Sequence, residues 1–277
     1  MKWVTKSAEQ GNARGQFSLG SCYLAGVGVT KDYEEAVKWF TKSAEQGDVR
    51  AQSNLGGLYY VGVGVTKDYE EAVKWLTKAA EKGNAGAQIG LAECYRKGAG
   101  VAKDEKEAVK WCLKAAEQGD ARGQFSLGYC YEKGTGVAKD YEEAVKWYRK
   151  SAEQGDAKAQ IGLAECYDTG VGVAKDEKEA VKWLTKAAVQ GDAEAQHELG
   201  SRCFFGFGVT QDDKEAVKWY AKSAEQGNAK AQHDLGMSYK EGKGVAKDDK
   251  EAVYWLTKSA DQGVADAKKE LEDMKSE

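Results

Sequence analysis

The eight tryptophans recur at a fixed interval of 36 residues, from Trp3 to Trp255. Self-similarity at one period of this length indicates a repeat protein, in which each repeat buries its apolar face against its neighbours. Seven complete repeats follow one another without insertion, at 12–47, 48–83, 84–119, 120–155, 156–191, 192–227 and 228–263. We therefore predict one repeat array over 1–277, although a chain of this length could hold two globular domains.

Each repeat carries the start and stop signals of two helices. In the first repeat, Asn12 is a predicted N-cap and Gly26 a predicted C-terminal cap, enclosing a helix over 13–25 (helix A). Asp32, followed three residues later by Glu35, resembles a capping box and starts a second helix (helix B) that ends near Gly47. The predicted fold class is all-α: an α/α superhelix, or solenoid, of antiparallel helix hairpins.

The apolar residues of helix B fall at helical spacing, which predicts that they form the core. Trp39 lies among them beside Val37 and Phe40, so the tryptophan series is predicted to be core. Glu34 and Lys38 are spaced i,i+4, which predicts an ion pair on the exposed side of the helix.

The two ends of the chain differ from the repeats. Residues 1–11 match only a helix B, whereas 264–277 match a helix A in which charged residues replace the apolar ones. A polar last helix covers the exposed core of a solenoid. We predict a C-terminal capping helix at 264–277 and a partial repeat at 1–11.

One motif recurs in the seven repeats and reads, in the first, Leu19-Gly20-x-x-Tyr23-x-x-Gly26-x-Gly28-Val29-x-x-Asp32-x-x-x-Ala36-x-x-Trp39-x-x-x-Ser43-Ala44-x-x-Gly47. This motif resembles the Sel-one-like repeat (SLR), a tetratricopeptide-like helical repeat. The resemblance implies right-handed superhelices of helical hairpins that act as scaffolds and adaptors. The exported, cysteine-rich branch of that family carries a Cys-x7-Cys bridge, but Ala44 and Gln52 stand at the matching positions here.

Composition narrows the classes of partner and compartment. Charged residues make up 31% of the chain and the net charge is −4, so a nucleic-acid partner is not expected. No apolar run approaches the ~18 residues that suggest a membrane span, so no membrane insertion is expected. We expect a soluble monomer, cytoplasmic if the N-terminus is native, and exported or periplasmic if a signal segment has been removed.

The sequence offers no recognisable catalytic, metal or cofactor site. Four of the six cysteines share one repeat position with Leu58, so we predict reduced, buried thiols, with Cys94 and Cys112 as the pair most worth checking. His197 and His233 lie one repeat apart, at a predicted spacing of ~10 Å that does not suit a shared metal. The Gly-x-Gly loop precedes helix B in every repeat, so it is interpreted as helix termination and not as a phosphate site.

By analogy with related helical repeats, helix A lines the concave groove of the array. Positions 14, 17, 18, 21, 24 and 25 of the first repeat and their equivalents are predicted to face it (the helix-A face), and they vary between repeats more than the core does. Position 14 is cationic in five of seven repeats. The candidate partner-binding residues on this face are Arg14, Phe17, Arg50, Tyr60, Arg96, Arg122, Phe125, Tyr129, Lys158, His197, Phe204, Phe205, His233 and Met237. The alternative interpretation is that these are ordinary solvated surface residues.

The sixth repeat departs most from the motif, because Cys203 replaces the helix-A tyrosine and three phenylalanines surround it. Phe204, Phe205 and Phe207 either form a partner-binding anchor or, in the case of Phe204 or Phe207, compensate for the missing tyrosine. The leading hypothesis is a non-catalytic scaffold or adaptor that binds a protein or peptide in the groove. The alternatives are a purely structural or engineered repeat array without a dedicated ligand and, third, a hydrolase-type enzyme.

Overall fold

The computed structural model describes residues 1–276, with the side chain of Ser276 excepted, and all regular elements in that range are α-helices. The sixteen helices are α1 (Lys2–Glu9), α2 (Ala13–Ala25), α3 (Tyr33–Glu45), α4 (Val49–Val61), α5 (Tyr69–Glu81), α6 (Ala85–Lys97), α7 (Glu105–Glu117), α8 (Ala121–Lys133), α9 (Tyr141–Glu153), α10 (Ala157–Thr169), α11 (Glu177–Val189), α12 (Ala193–Phe205), α13 (Asp213–Glu225), α14 (Ala229–Glu241), α15 (Asp249–Asp261) and α16 (Ala265–Ser276). Even-numbered helices are helices A and odd-numbered ones are helices B. The predicted all-α fold of repeating 36-residue helical hairpins is confirmed.

The helices group into two compact bodies. The N-terminal body is Met1–Asp140 and the C-terminal body begins at Tyr141. Within each body, every helix packs against the next one along the chain, so that a helix B contacts the helix A of its own repeat and that of the following repeat. This double contact is the means by which a repeat without a core of its own becomes stable.

Side chains cap the helices as predicted, with one difference. Asn12 accepts a hydrogen bond from the Gly15 N–H and Asp32 accepts one from the Glu35 N–H, while Gly26 ends helix A with a φ of 72°. The reciprocal bond of a capping box is not formed, because the Asp32 N–H donates to the Tyr23 carbonyl instead. Each repeat thereby ties the start of helix B to the end of helix A.

The predicted Glu34–Lys38 ion pair is wrong. The Lys38 ammonium lies 2.6 Å from a carboxylate oxygen of Glu35, one turn away at i,i+3. Glu35 is free to make this pair because it does not reach back to the N-cap. The same i,i+3 pair recurs on helix B of other repeats, as in Lys74–Glu71 and Lys110–Glu107.

The second glycine of the Gly-x-Gly loop has a role that helix termination alone does not describe. Gly100 has a φ of 72°, and a Cβ added there would lie 2.1 Å from the Tyr69 carbonyl oxygen, at the start of the preceding repeat's helix B. Gly64, Gly136, Gly172, Gly208 and Gly244 show the same close approach. The loop backbone therefore packs directly on the neighbouring repeat, which requires a residue without a side chain.

The tryptophans are core residues only in part. Three are buried (Trp75, Trp111 and Trp183), whereas the other tryptophans of complete repeats are half-buried. In every complete repeat the lysine three residues later covers the indole, as Lys42 does at 4.3 Å from the Trp39 ring centroid. Trp3 is 82% exposed, so the core prediction is wrong there. The stacked lysine stem and ammonium stand where solvent would otherwise meet the ring.

Buried glutamines connect three consecutive helices. The Gln16 side chain donates to the Ala8 carbonyl of α1 and accepts a 2.6 Å hydrogen bond from Gln46, the C-terminal cap of α3. Matching glutamine pairs occur at Gln88–Gln118, Gln160–Gln190, Gln196–Gln226 and Gln232–Gln262. Because both ends of the buried amide are satisfied, burying it costs little and fixes the distance between neighbouring repeats.

The second repeat lacks this pair, which leads to a prediction. Lys82 replaces the outer glutamine and donates to the Gly47 carbonyl, leaving the buried Gln52 Oε1 without a partner among the described residues. We expect Lys82→Gln to raise the free energy of unfolding by about 1 kcal/mol, because it supplies the missing donor. Gln262 shows that a glutamine here can also reach the glycine carbonyl, at 3.0 Å from Gly227 O. Chemical denaturation measures the change, with Lys82→Met as control; equal stabilities of the two variants would refute the argument.

The six cysteines are free thiols, of which Cys22 is half-buried and the others are buried. Burial raises the pKa of Cys94 to about 11, which makes it a poor nucleophile at neutral pH. Cys112 forms its hydrogen bond with Cys130 on α8, and that bond together with burial raises the pKa of Cys112. The thiols are free, as the sequence predicts, and Cys112 meets Cys130, which the sequence did not single out, because helix B also packs against helix A of the next repeat.

Candidate functional site

At the start of the array, two candidate residues of the helix-A face contact each other. Phe17 is half-buried against Phe40, with ring centroids 5.8 Å apart, and the Arg50 guanidinium lies 4.2 Å from the Phe17 centroid. Arg50 also pairs with Asp48 at 2.8 Å, whereas Arg14 is exposed. Phe17 therefore belongs largely to the packing of the first two repeats, and its outer surface is covered by an arginine.

In the middle of the N-terminal body, the candidate Arg96 belongs to an ion-pair cluster. Its guanidinium makes two 2.7 Å hydrogen bonds to the Glu93 carboxylate, which Lys97 also contacts at 2.8 Å. Burial acts to raise the pKa of Glu93, but the hydrogen bonds from both cations lower it below its usual value. Lys97 further donates to the Tyr60 hydroxyl on the preceding helix A. These cations are thus partly neutralised within the chain.

The remaining candidates before the sixth repeat lie on α8 and α10. Arg122 and Lys158 are exposed, and the Arg122 Nε lies 3.8 Å from an Asp120 oxygen. Tyr129 is 42% exposed, with the Lys133 ammonium 5.5 Å from its ring centroid. Phe125 is half-buried.

In the C-terminal body, the two histidines are brought together by a carboxylate that sequence reasoning did not single out. One carboxylate oxygen of Asp234 accepts a hydrogen bond from His197 Nε2 at 2.8 Å, and the other accepts one from His233 Nδ1 at 2.9 Å. The bridge joins α12 to α14, two successive helices A. Burial acts to raise the pKa of Asp234, but the two imidazole hydrogen bonds outweigh it and lower the pKa. The hydrogen bond to Asp234 raises the pKa of His233.

These shifts predict how pH changes stability. Protonated His233 is stabilised by Asp234, with Asp266 and Glu270 also facing it, so its contribution is full below about 6.5 and is lost as pH rises through the folded pKa. The Asp234 contribution is present above about 3.9 and is lost as pH falls through its lowered pKa. We expect the melting-temperature difference between wild type and Asp234→Asn to be larger at pH 5.5 than at pH 8.5 by scanning calorimetry. A difference that is constant across this range would contradict the assignment.

A buried arginine next to this bridge also escaped the sequence analysis. Arg202 occupies the position held by cysteine, leucine or serine in the other repeats, and it is 7% exposed. Its guanidinium lies 3.0 Å from Asp168 of α10 and 3.0 Å from Glu198 of α12. The signal was available in the sequence, since arginine is the one charged residue at an otherwise uncharged position. Comparison of equivalent positions would have found it.

The three phenylalanines of the sixth repeat lie beside the histidine bridge. Phe205 and Phe207 are 60% and 56% exposed and stack on each other with centroids 5.7 Å apart, while Phe204 meets Phe205 edge-on. Cys203 is itself buried and its carbonyl accepts the hydrogen bond from the next helix-B cap, as the tyrosine carbonyl does in other repeats. The exposed Phe207 therefore does not replace the missing tyrosine.

A small cavity of about 220 Å³ lies next to these rings. It is lined by Phe204, Phe205, Tyr220, Asp234, Met237, Ser238, Glu241 and Lys243. Burial raises the pKa of Tyr220 to about 12, so its hydroxyl stays protonated at neutral pH. The cavity thus combines aromatic and thioether walls with polar groups at its edge, and it includes three of the candidate residues.

Among the described residues, no group of three or more His, Cys, Asp or Glu side chains is placed to hold a metal ion. No helix within residues 1–276 combines the length and apolar character needed to cross a bilayer. The helix-A face carries polar and aromatic side chains in several repeats.

The sequence profile of the Sel1 repeat matches seven consecutive segments of this chain, at 13–48, 49–84, 85–120, 121–156, 157–192, 193–228 and 229–264. The protein belongs to the Sel1 repeat family. The profile frame begins one residue later than the repeats defined above. Sel1 repeat proteins generally mediate protein–protein interactions and are generally non-enzymatic.

Solved structures agree with this membership. A protective antigen present in uropathogenic Escherichia coli strains and displaying an SLR fold is 41% identical with a TM-score of 0.81, over 99% of this chain and 59% of its own. A Sel1 repeat protein from Oxalobacter formigenes is 36% identical with a TM-score of 0.81, over 99% of this chain and 79% of its own. An immunity protein from Pseudomonas aeruginosa shares the fold alone, at 21% identity and a TM-score of 0.53, over 77% of this chain and 80% of its own. No curated protein sequence gave a match.

Proposed function

We propose that this Sel1 repeat protein is a non-catalytic scaffold that binds a peptide or protein partner along its helix-A face. The observation that carries the proposal is the contrast between two sets of positions within one repeat frame. Caps, inter-repeat hydrogen bonds and small core residues are nearly the same in every repeat. The helix-A face differs from repeat to repeat and carries the cationic and aromatic candidates.

The arrangement of the helices supports this assignment. In the N-terminal body, α4 contacts α6 and α6 contacts α8, so helices A of successive repeats lie side by side. In the C-terminal body, side chains of neighbouring helices A bond to each other, as in His197–Asp234 and Arg202–Asp168. A partner lying across this face could therefore touch several repeats at once. We propose a protein partner and not a nucleic acid, because the charges alternate in sign.

A matched pair of charge reversals tests the proposal. Arg122→Glu reverses a charge on the helix-A face and introduces glutamate, which the sixth repeat already has at this position as Glu194. Lys106→Glu makes the same charge change on helix B, where Glu34 stands in the first repeat. Both substitutions introduce a residue that the repeat frame already accepts, so neither should disturb folding.

Peptides selected from a displayed random library against the full chain provide the ligand for this test. We expect Arg122→Glu to raise the Kd of a selected peptide at least fivefold, which corresponds to about 1 kcal/mol of binding free energy. Lys106→Glu should leave this Kd within twofold of the wild-type value. Failure to select any peptide with a Kd below about 100 µM, or equal loss in both variants, would favour a structural array without a dedicated ligand. Isothermal titration calorimetry and circular dichroism measure binding and helicity.

A further inference from the structure

The cavity beside the phenylalanines of the sixth repeat differs from the other surface depressions. The depressions around Gly206–Gly208 and Gly134–Gly136 occur at equivalent places and are lined by the loop and the start of the preceding helix B. They follow from the repeat itself. The cavity at Phe204 and Met237 instead combines residues specific to the sixth and seventh repeats. No other repeat has phenylalanine at the positions of Phe204 and Phe205 or methionine at that of Met237, so the cavity is a candidate for specific recognition.

The size of the cavity fits a single large side chain. Its volume of about 220 Å³ exceeds the ~150 Å³ of an apolar cavity that binds benzene, so it has room for one large side chain. Phe204, Phe205 and Tyr220 supply aromatic surface and Met237 a polarisable thioether that adapts to the shape of a guest. Outside the cavity, the stacked pair Phe205–Phe207 extends the apolar surface and remains mostly exposed. Water in contact with such walls is readily displaced by apolar groups.

The charges at the edge of the cavity decide what kind of guest fits. Asp234 is already paired with His197 and His233, through both of its oxygens. Glu241 pairs with Lys243 at 2.7 Å, and the Lys243 ammonium lies 5.6 Å from the Phe204 centroid, where a cationic guest would have to sit. A charged guest would therefore lose hydration without meeting an unpaired partner among Asp234, Glu241 and Lys243. An uncharged apolar guest displaces none of them.

We infer that this cavity is an anchor pocket for one uncharged, bulky hydrophobic side chain (leucine, methionine or phenylalanine) of the protein partner. The inference deepens the proposed function and rests on it. The Phe205–Phe207 pair packs against the residues that flank the anchor on the partner. Anchors that fill such pockets contribute a large share of binding energy in protein interfaces.

Methionine methyl groups give a direct measure of pocket occupancy. The chain has three methionines. Met237 lines the pocket and, like Met274, packs against the core cluster around Leu256, whereas Met1 lies against Gly28. The full chain is labelled with ¹³C-methyl methionine and followed by NMR. The compounds added are N-acetyl-leucinamide, N-acetyl-phenylalaninamide and N-acetyl-argininamide. We expect the first two to shift the Met237 resonance saturably with millimolar affinity, and the arginine derivative to shift it less. Met1, which lies in the other body, serves as the internal control.

A matched pair of substitutions assigns the effect to the pocket. Phe205→Thr and Val61→Thr alter the same repeat position, both residues are exposed, and Thr169 occupies this position in the fifth repeat. Phe205→Thr should reduce the Met237 shift and the affinity of selected peptides at least tenfold, and Val61→Thr should change neither. A stronger response to the arginine derivative, no saturable Met237 shift, or equal effects of the two variants would overturn the inference. If selected peptides lose affinity with Arg122→Glu but not with Phe205→Thr, the scaffold function stands and the anchor pocket fails.

Discussion

Replacing Gly100 with alanine is expected to lower the free energy of unfolding by at least 3 kcal/mol. The substitution places a Cβ 2.1 Å from the Tyr69 carbonyl oxygen while φ is 72°, so it combines a left-handed backbone with an overlap between two repeats. The overlap is with backbone, which cannot move aside as a side chain can. The neighbouring repeats would have to separate locally to relieve it.

Gly119→Ala is the matched control for this prediction. Gly119 has a φ of 85°, also in the left-handed region, but a Cβ there would meet nothing within 4 Å. Gly119→Ala should lower the free energy of unfolding only by the ~1 kcal/mol that a left-handed backbone costs alanine. Guanidinium denaturation of the two variants separates the cost of the backbone conformation from the cost of the overlap with Tyr69. Losses of equal size would show that the contact with Tyr69 has no energetic role.

A second large effect is expected where helix A meets helix B. Gly20 faces the fully buried Phe40, and a Cβ on Gly20 would lie 2.9 Å from the Phe40 Cδ1. The fifth repeat carries Ala164 and Leu184 at these two positions. We expect Gly20→Ala to destabilise the wild type by about 1–2 kcal/mol through overpacking, but to be neutral or stabilising in a Phe40→Leu background, because alanine is the better helix former.

The double-mutant cycle over Gly20 and Phe40 tests this pairing. We expect a coupling free energy of about 2 kcal/mol. It is obtained from the denaturation midpoints of the wild type, the two single variants and the double variant, with one shared dependence of unfolding free energy on denaturant concentration. Circular dichroism serves to check that each variant keeps its helices. Additive effects of the two substitutions would show that the pair does not set the distance between the helices.

The parts of this fold that the sequence predicted are those repeated seven times. The bounds of α2 and the capping roles of Asn12, Asp32 and Gly26 follow from local chemistry, which acts within a few residues. The partner of Glu35 was predicted wrongly and the contact of Cys112 with Cys130 was not predicted, because several neighbours compete and the choice depends on the packed geometry. Periodicity also overstated the burial of tryptophan, since Trp3 has the pattern but is exposed.

The candidate site was harder to predict, because it consists of departures from the repeat. The sequence drew attention to Phe205 as an exposed aromatic, and the structure places it next to the cavity. It gave no sign that Asp234 bridges His197 and His233, since that contact joins residues 37 positions apart. Arg202 could have been found by aligning equivalent positions and its i,i+4 partner Glu198 from helical spacing, but Asp168 lies on another helix A and required coordinates.

The buried glutamines have a consequence for how such an array can change in length. Gln16 bonds backwards to Ala8 and forwards to Gln46, and the same three-point connection recurs at Gln88 with Ala80 and Gln118. A segment of 36 residues therefore brings every donor and acceptor that its two boundaries need. Unequal recombination that inserts or deletes a segment carrying both glutamines of such a pair leaves no new buried amide unpaired. The identical stretches at 89–95 and 161–167 lie two periods apart, as duplication of a two-repeat segment would leave them.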